Sequence, residues 1–280
     1  MRDSENKGTE RPMNAGINMP EKPWAVVTGA SSGIGFEFAR ELARRGYSIV
    51  AVSNQEDELK NTARDLEAAY GDVRVLTACI DLSLPDAVDN VCRILDGRGI
   101  IPEILVNNAG IFDFRRVDDL TPRRRAMYID LHMRAVTELC VAIGRRMADA
   151  GRGYILNMSS MSCWMPMPGI ALYSATKAYI RAFSRAYRVE MKDSGVSVTV
   201  ACPGGIATSL FGLPERWLRF ATRIGVLAPP GLFVRRALRR MFRRRAQYVN
   251  GLLNRISIVF VALLPEAVRR QIAIRIPVPE

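Results

Sequence analysis

The chain has 280 residues, 49% of them hydrophobic, and a formal net charge of +12. That supplies the core of one large α/β domain or two small ones and excludes global disorder. The five cysteines are scattered without a C-x-x-C pair and His132 is the one histidine, which excludes a disulfide framework and a histidine-based metal cluster within one chain and fits a reducing, cytoplasmic compartment.

Residues 1–22 are polar, rich in Gly, Pro, Asn and Glu, and lack an apolar run. They read as a flexible leader and not as a signal peptide. From Trp24 the pattern becomes strand (WAVVTG), glycine turn (TGASSGIG) and helix (FEFARELARRG), with Phe36, Phe38, Ala39, Leu42 and Ala43 at helical spacing. YSIVAVS is a second strand, and DELKNTARDLEAAYG a helix that Gly71 stops. VRVLTACI is a third strand ending at Asp81, followed by a helix over 85–96. EILVNNAG is a fourth strand running into a turn. Residues 121–150 read as one long helix, with Thr121 as N-cap and Pro122 at its first position. GYILNMSS is a fifth strand, 169–194 a long helix, and VSVTVACPGG a sixth strand and turn.

Strands alternating with helices of this length predict a doubly wound parallel sheet of the Rossmann type, covered on both faces. The expected organisation is the leader 1–22, a single α/β domain over 23–250, and an apolar and basic C-terminal extension over 251–280. Ligands of such sheets bind beyond the carboxyl ends of the strands. TGASSGIG, Asp81, NNAG, Ser159–Ser160 and PGG all fall on that edge.

Two stretches there carry chemistry. Gly29, Gly33 and Gly35 follow a strand and open a helix, where backbone N–H groups approach a pyrophosphate. Tyr173 and Lys177, in YSATK, stand four residues apart, which on a helix places them on one face. A free phenol has a pKa of about 10, and a neighbouring ammonium is expected to lower it toward working range. By spacing alone the pair is equally two residues of an ordinary helix.

As an ordered set, TGASSGIG, the aspartate after the third strand, NNAG, a serine 13 residues before the tyrosine, YSATK and PGG-x-x-T resemble the short-chain dehydrogenase/reductase family over roughly Trp24 to Thr208. The resemblance implies an NAD(P)-dependent oxidoreductase that interconverts a ketone and a secondary alcohol. It assigns the dinucleotide phosphates to Gly29, Ser31, Ser32, Gly33, Ile34 and Gly35, and the adenine to Asp81 and Leu82. The ribose and nicotinamide side falls to Asn108, Ala109 and Gly110, and the carboxamide to Pro203, Gly204, Ile206 and Thr208. Tyr173 becomes the general acid or base, Ser160 the donor to the substrate oxygen, and Lys177 the residue that holds the nicotinamide ribose and lowers the phenol. The family usually has an asparagine supporting a proton-relay water in the long helix before the fifth strand. Here YIDLHMRAVTELC puts His132 at that position, and a relay role and a packed helix histidine both stay open.

After the second strand the chain reads Ser53-Asn54-Gln55. Neither a carboxylate for a ribose 2′-hydroxyl nor an arginine for a 2′-phosphate is present, and the missing carboxylate favours NADP, with NAD as the alternative. The substrate cavity is assigned to Trp164 with the methionines around it, and to a lid over 209–230 carrying Phe211 and Trp217. That wall predicts an apolar substrate: a 3-oxoacyl thioester, a long-chain 3-ketone such as 3-ketosphinganine, or a hydroxysteroid. A cofactor-binding sensor or a membrane-surface interaction protein on the same scaffold is the reading from another class.

From Ser209 onward the chain carries 14 arginines, no lysine and 3 glutamates, so +11 of the +12 lies in its last quarter. FVRRALRRMFRRR (233–245) is an amphipathic helix, with Val234, Ala237, Leu238, Met241 and Phe242 on one side. A short strand, QYVNG, and the apolar run ISIVFVALL follow. That run is too short to span a bilayer. Readings for this tail are an acyl-carrier or CoA contact, peripheral contact with the inner membrane surface, and a homodimer or homotetramer contact. Nucleic acid ranks last, because the tail lacks interleaved stacking aromatics.

Overall fold

A computed structural model describes residues 22–204 and 228–274 of the chain. The apolar runs form β1 (Trp24–Thr28), β2 (Ser48–Ser53), β3 (Val75–Cys79), β4 (Pro102–Asn107), β5 (Gly153–Met158), β6 (Val196–Cys202) and β7 (Gln247–Val249). They make one seven-stranded sheet in the order β3-β2-β1-β4-β5-β6-β7, parallel at every pairing. The order reverses between β1 and β4, which opens a crevice at the carboxyl ends of those two strands.

The helices are α1 (Gly33–Arg44), α2 (Glu56–Ala69), α3 (Ala87–Asp96), α4 (Pro122–Ile129), α5 (Ala135–Asp149), α6 (Ala171–Glu190), α7 (Pro230–Phe242), α8 (Leu252–Ala262) and α9 (Glu266–Ile274). Successive strand side chains point to opposite faces, so each strand feeds two cores. Val26, Leu105, Ile155 and Val198 pack with Val91, Leu139, Ile143 and Ile180 on one face. Val27, Ile104 and Leu156 pack with Phe38, Leu42, Leu66 and Leu238 on the other. With both faces covered, strand ends and loops are left to build a site.

Four local outcomes differ from the periodicity. The helix expected over 121–150 is broken by a π turn at Asp130–Arg134, between α4 and α5. One extra residue in that turn re-aims the side chains it carries, His132 among them; π-bulges of this kind are frequent at functional sites. The helix expected to reach residue 194 stops at Glu190, and a short 3₁₀ turn leads to Gly195 at φ 77°. The arginine-rich helix starts at Pro230 and ends at Phe242, burying Phe233 along with Val234, Ala237, Leu238 and Met241 against α1 and the sheet. Its arginines Arg235, Arg236, Arg239 and Arg240 stay exposed. The run ISIVFVALL forms α8 from Ile256 to Ala262 and continues two residues past its end, and α8 packs against the 3₁₀ turn Met161–Trp164. No helix among the described residues is long and apolar enough to cross a membrane.

Candidate active site

The glycine turn between β1 and α1 is built by close approach. A Cβ on Gly35 would stand 1.8 Å from the Gly29 carbonyl oxygen, and Gly29 itself sits at φ 65°. Ser32, at the N-cap of α1, makes no side-chain cap, so the first-turn N–H groups face the crevice, where an anion can satisfy them. The turn is tied to the neighbouring strand end by Thr28. Its hydroxyl oxygen accepts from the Asn108 and Ala109 N–H groups at 2.9 and 3.0 Å. Asn108 Nδ2 donates to the Thr28 carbonyl at 3.1 Å. Sequence reasoning passed over Thr28; its only signal was its place directly before Gly29.

Across the crevice, Ser160 follows β5 as the N-cap of the Met161–Trp164 turn, and Tyr173 and Lys177 lie on the first two turns of α6. A buried polar chain seats the helix: Asn107 Nδ2 donates to Asn157 Oδ1 at 2.8 Å, and Asn157 Nδ2 donates to Ser184 Oγ at 2.9 Å. Ser160 Oγ accepts from the Ser162 N–H at 3.1 Å, which leaves its hydroxyl proton for the crevice. Lys177 Nζ donates to the Met158 carbonyl at 3.0 Å and lies 5.6 Å from the Tyr173 ring centroid. Burial pushes the Lys177 ammonium down to about 8.

The phenol departs from expectation. Burial pushes Tyr173 up to about 12, against an opposing pull from the Ser160 hydroxyl. The lysine does not set the shift, because its ammonium is bonded to Met158 and not to the phenol. The resting residue is therefore a phenol, the form that donates a proton.

His132 is fully buried, and both its ring nitrogens are engaged. Nε2 accepts from the Ile111 N–H at 3.0 Å, so Nδ1 carries the hydrogen and donates to Thr176 Oγ1 at 2.9 Å. The Thr176 hydroxyl donates in turn to the Tyr173 carbonyl at 2.9 Å. Burial, with help from the nearby Lys177 and Arg124 charges, holds the imidazole well below its ordinary 6.5, so it is neutral. A Cβ on Gly110 would come within 2.9 Å of Nε2, so any larger residue there must displace the ring. The ring thus braces the NNAG turn against the helix that carries Tyr173. Thr176, inside the YSATK stretch, completes that brace, and spacing alone gave no reason to single it out.

These elements surround one crevice of about 360 Å³. It is lined by Gly29, Ser31, Ser32, Gly33, Ile34, Gly35, Ser53, Asn54, Asp81, Leu82, Asn108, Ala109, Gly110, Ser160, Tyr173, Lys177, Pro203 and Gly204. Gln55, read with Ser53 and Asn54 after the second strand, also lines it, as do Ile111, Met127, Leu131 and Met158, which sequence reasoning did not single out. Trp164 is not among the lining residues; its ring lies 4.5 Å from the Arg181 guanidinium carbon. Ile206, Thr208, Phe211, Trp217 and nearly all of the lid segment lie outside the described residues, as does the leader up to residue 21.

Residues 23–217 match the short chain dehydrogenase family profile. The chain belongs to the short-chain dehydrogenases. Among relatives, a very-long-chain 3-oxoacyl-CoA reductase of Danio rerio is 36% identical over 192 residues, which cover 67% of this chain and 59% of that protein. The matched span is about three fifths of the length of such curated relatives. A short-chain dehydrogenase from Sphingobium yanoikuyae solved with NADPH is 28% identical at a TM-score of 0.73, over 92% of this chain and 98% of that one. A bulky-bulky ketone specific alcohol dehydrogenase from Comamonas testosteroni is 26% identical at a TM-score of 0.71, over 88% and 96%.

Proposed function

We propose that this short-chain dehydrogenase uses NADPH to reduce the ketone of a bulky apolar substrate, a 3-oxoacyl thioester being the class favoured. The observation that carries the reading is one crevice with a glycine turn and uncapped helix N-terminus at one end and Ser160, Tyr173 and Lys177 at the other. The dinucleotide fits that division: first-turn N–H groups for its phosphates, Asp81 for the adenine, Asn108 to Gly110 for the nicotinamide side. Ser53 and Asn54 line the adenosine end after β2, where a carboxylate would hold a ribose 2′-hydroxyl, and its absence at those positions favours a 2′-phosphate. When bound, NADPH supplies the hydride.

The chain's own residues supply the rest. Ser160, beside the Tyr173 phenol, donates its hydroxyl proton to the substrate oxygen, which stabilises charge developing there. Tyr173, held as a phenol, protonates that oxygen. Lys177, with its charge in a buried site, favours proton loss from the phenol as the oxygen takes it. Ile111, Met127, Leu131 and Met158 provide an apolar wall, and water excluded by it strengthens each of these contacts.

The similarity to a 3-oxoacyl-CoA reductase and to a bulky-ketone alcohol dehydrogenase supports this substrate class. The test follows NADPH absorbance against a panel of apolar ketones and 3-oxoacyl thioesters. Tyr173→Phe is expected to cut turnover about 10²–10⁴-fold while NADPH still binds. Undiminished turnover in that variant, or no oxidation of NADPH by any member of the panel, overturns the proposal.

A further inference from the structure

Beside the carboxyl end of β7, α7 and the start of α8 border a second, open cavity of about 390 Å³. Arg236, Arg239, Arg240, Arg243 and Arg255 line it with Tyr248, and no carboxylate does. The spacing of the first four brings them to one side of α7 and its C-cap, opposite the buried Val234, Ala237, Leu238 and Met241. Burial raises the Tyr248 phenol and the nearby Arg236 charge opposes that rise, and Arg255 donates to the Val249 carbonyl at 3.3 Å. Five guanidiniums around one cavity repel one another, and an anion relieves that repulsion. Their planar forks suit phosphate oxygens in particular.

The adjoining surface is apolar. Ile256, Val259, Phe260 and Leu263 recur at i, i+3, i+4 and i+7 on and just after α8, exposed by 44, 57, 70 and 76%. Ile258, on the opposite side, packs into the core. A helix apolar on both sides is one that something covers. Arginines beside an exposed apolar stripe match a surface that presents phosphates above acyl chains. A second copy would present the same arginines and no carboxylate from this cavity.

The geometry points to an anionic phospholipid bilayer as the occupant of this surface, with headgroup phosphates in the arginine cavity and Val259, Phe260 and Leu263 in the acyl boundary. Docking of this kind bears on the site. α8 rests on the Met161–Trp164 turn that follows Ser160, and Asn250, between β7 and α8, accepts from the Gly204 N–H at the crevice. The bilayer would then lie next to the mouth through which an apolar substrate enters.

The test is flotation of the full chain with phosphatidylcholine vesicles, with and without phosphatidylglycerol. Binding to the anionic vesicles alone is expected, and it should weaken as salt is raised. The triple variant Arg239→Gln, Arg240→Gln, Arg243→Gln should lose on the order of a hundred-fold in partitioning. Phe260→Asp with Leu263→Asp should abolish it at any salt. NADPH binding is expected unchanged in both variants, which reports the fold without using activity. Three results each overturn the inference: a chain that stays with the soluble fraction; free coenzyme A that binds the arginine cavity while vesicles do not; and light scattering showing that Phe260→Asp with Leu263→Asp splits a dimer that never bound vesicles.

Discussion

Replacing His132 by alanine removes a wholly buried ring that holds two elements together. Two costs follow. The Ile111 N–H, bonded at 3.0 Å, loses its acceptor in a dry site, about 1–3 kcal/mol. Deleting the imidazole leaves a cavity, which brings the total to roughly 3–5 kcal/mol. For a domain of this size that lowers the melting temperature by about 10 °C. The NNAG turn and α6 then lose their common brace, so turnover should fall more than affinity for NADPH. His132→Asn restores an acceptor toward Ile111 and should recover most of the loss. The ring's ionisation adds a second readout. The folded imidazole is held well below 6.5, so below about that pH the unfolded chain binds a proton that the folded chain does not. Stability is therefore lost as pH falls below 6.5, by up to about 1.4 kcal/mol per unit. His132→Asn should lack that loss. The assays are thermal melts from pH 5 to 8 and turnover across the same range. An acid limb of turnover near pH 6.5 that vanishes in His132→Asn would refute the neutral brace and establish a titrating relay.

Four further outcomes are expected. Gly35→Ala must displace the turn, since its Cβ would lie 1.8 Å from the Gly29 oxygen; a loss of about 1–3 kcal/mol in stability and at least tenfold in NADPH affinity should appear in melts and fluorescence titration. The Lys177 cation, held near 8 by burial, is depleted as pH rises through that value, so ketone reduction should decline above about pH 8 in a pH–rate profile. The same burial penalises the folded state below about pH 8, where the ammonium is charged in both states, and the penalty fades as pH rises toward 10.5; Lys177→Met should thus be inactive but melt higher at pH 7. Asn54→Asp places a carboxylate at the adenosine end, and should weaken NADPH relative to NADH in the ratio of the two kcat/KM values.

Local patterning on its own determined the sheet, its parallel sense and the edge on which the site stands, because strand alternation, glycine turns and helix caps are short-range signals. The ordered motifs, through the family resemblance they carry, also named residues that the fold brings to one crevice: glycines between the first strand and first helix, Ser160 after the fifth strand, and Tyr173 one turn from Lys177. Tertiary structure decided what distance and burial control. Whether Lys177 or burial governs the phenol depends on where the ammonium is bonded, and Met158 lies 19 residues away in sequence. The π turn that aims His132, and the Ile111 and Thr176 partners that occupy both its nitrogens, come from elements 21 and 44 residues distant. Likewise, 14 arginines could be counted in the tail, but only packing of α7 on α1 and the start of α8 beside β7 gathered five of them around one cavity. Charge is a property of the sequence; the dielectric around it, and its neighbours, are properties of the fold.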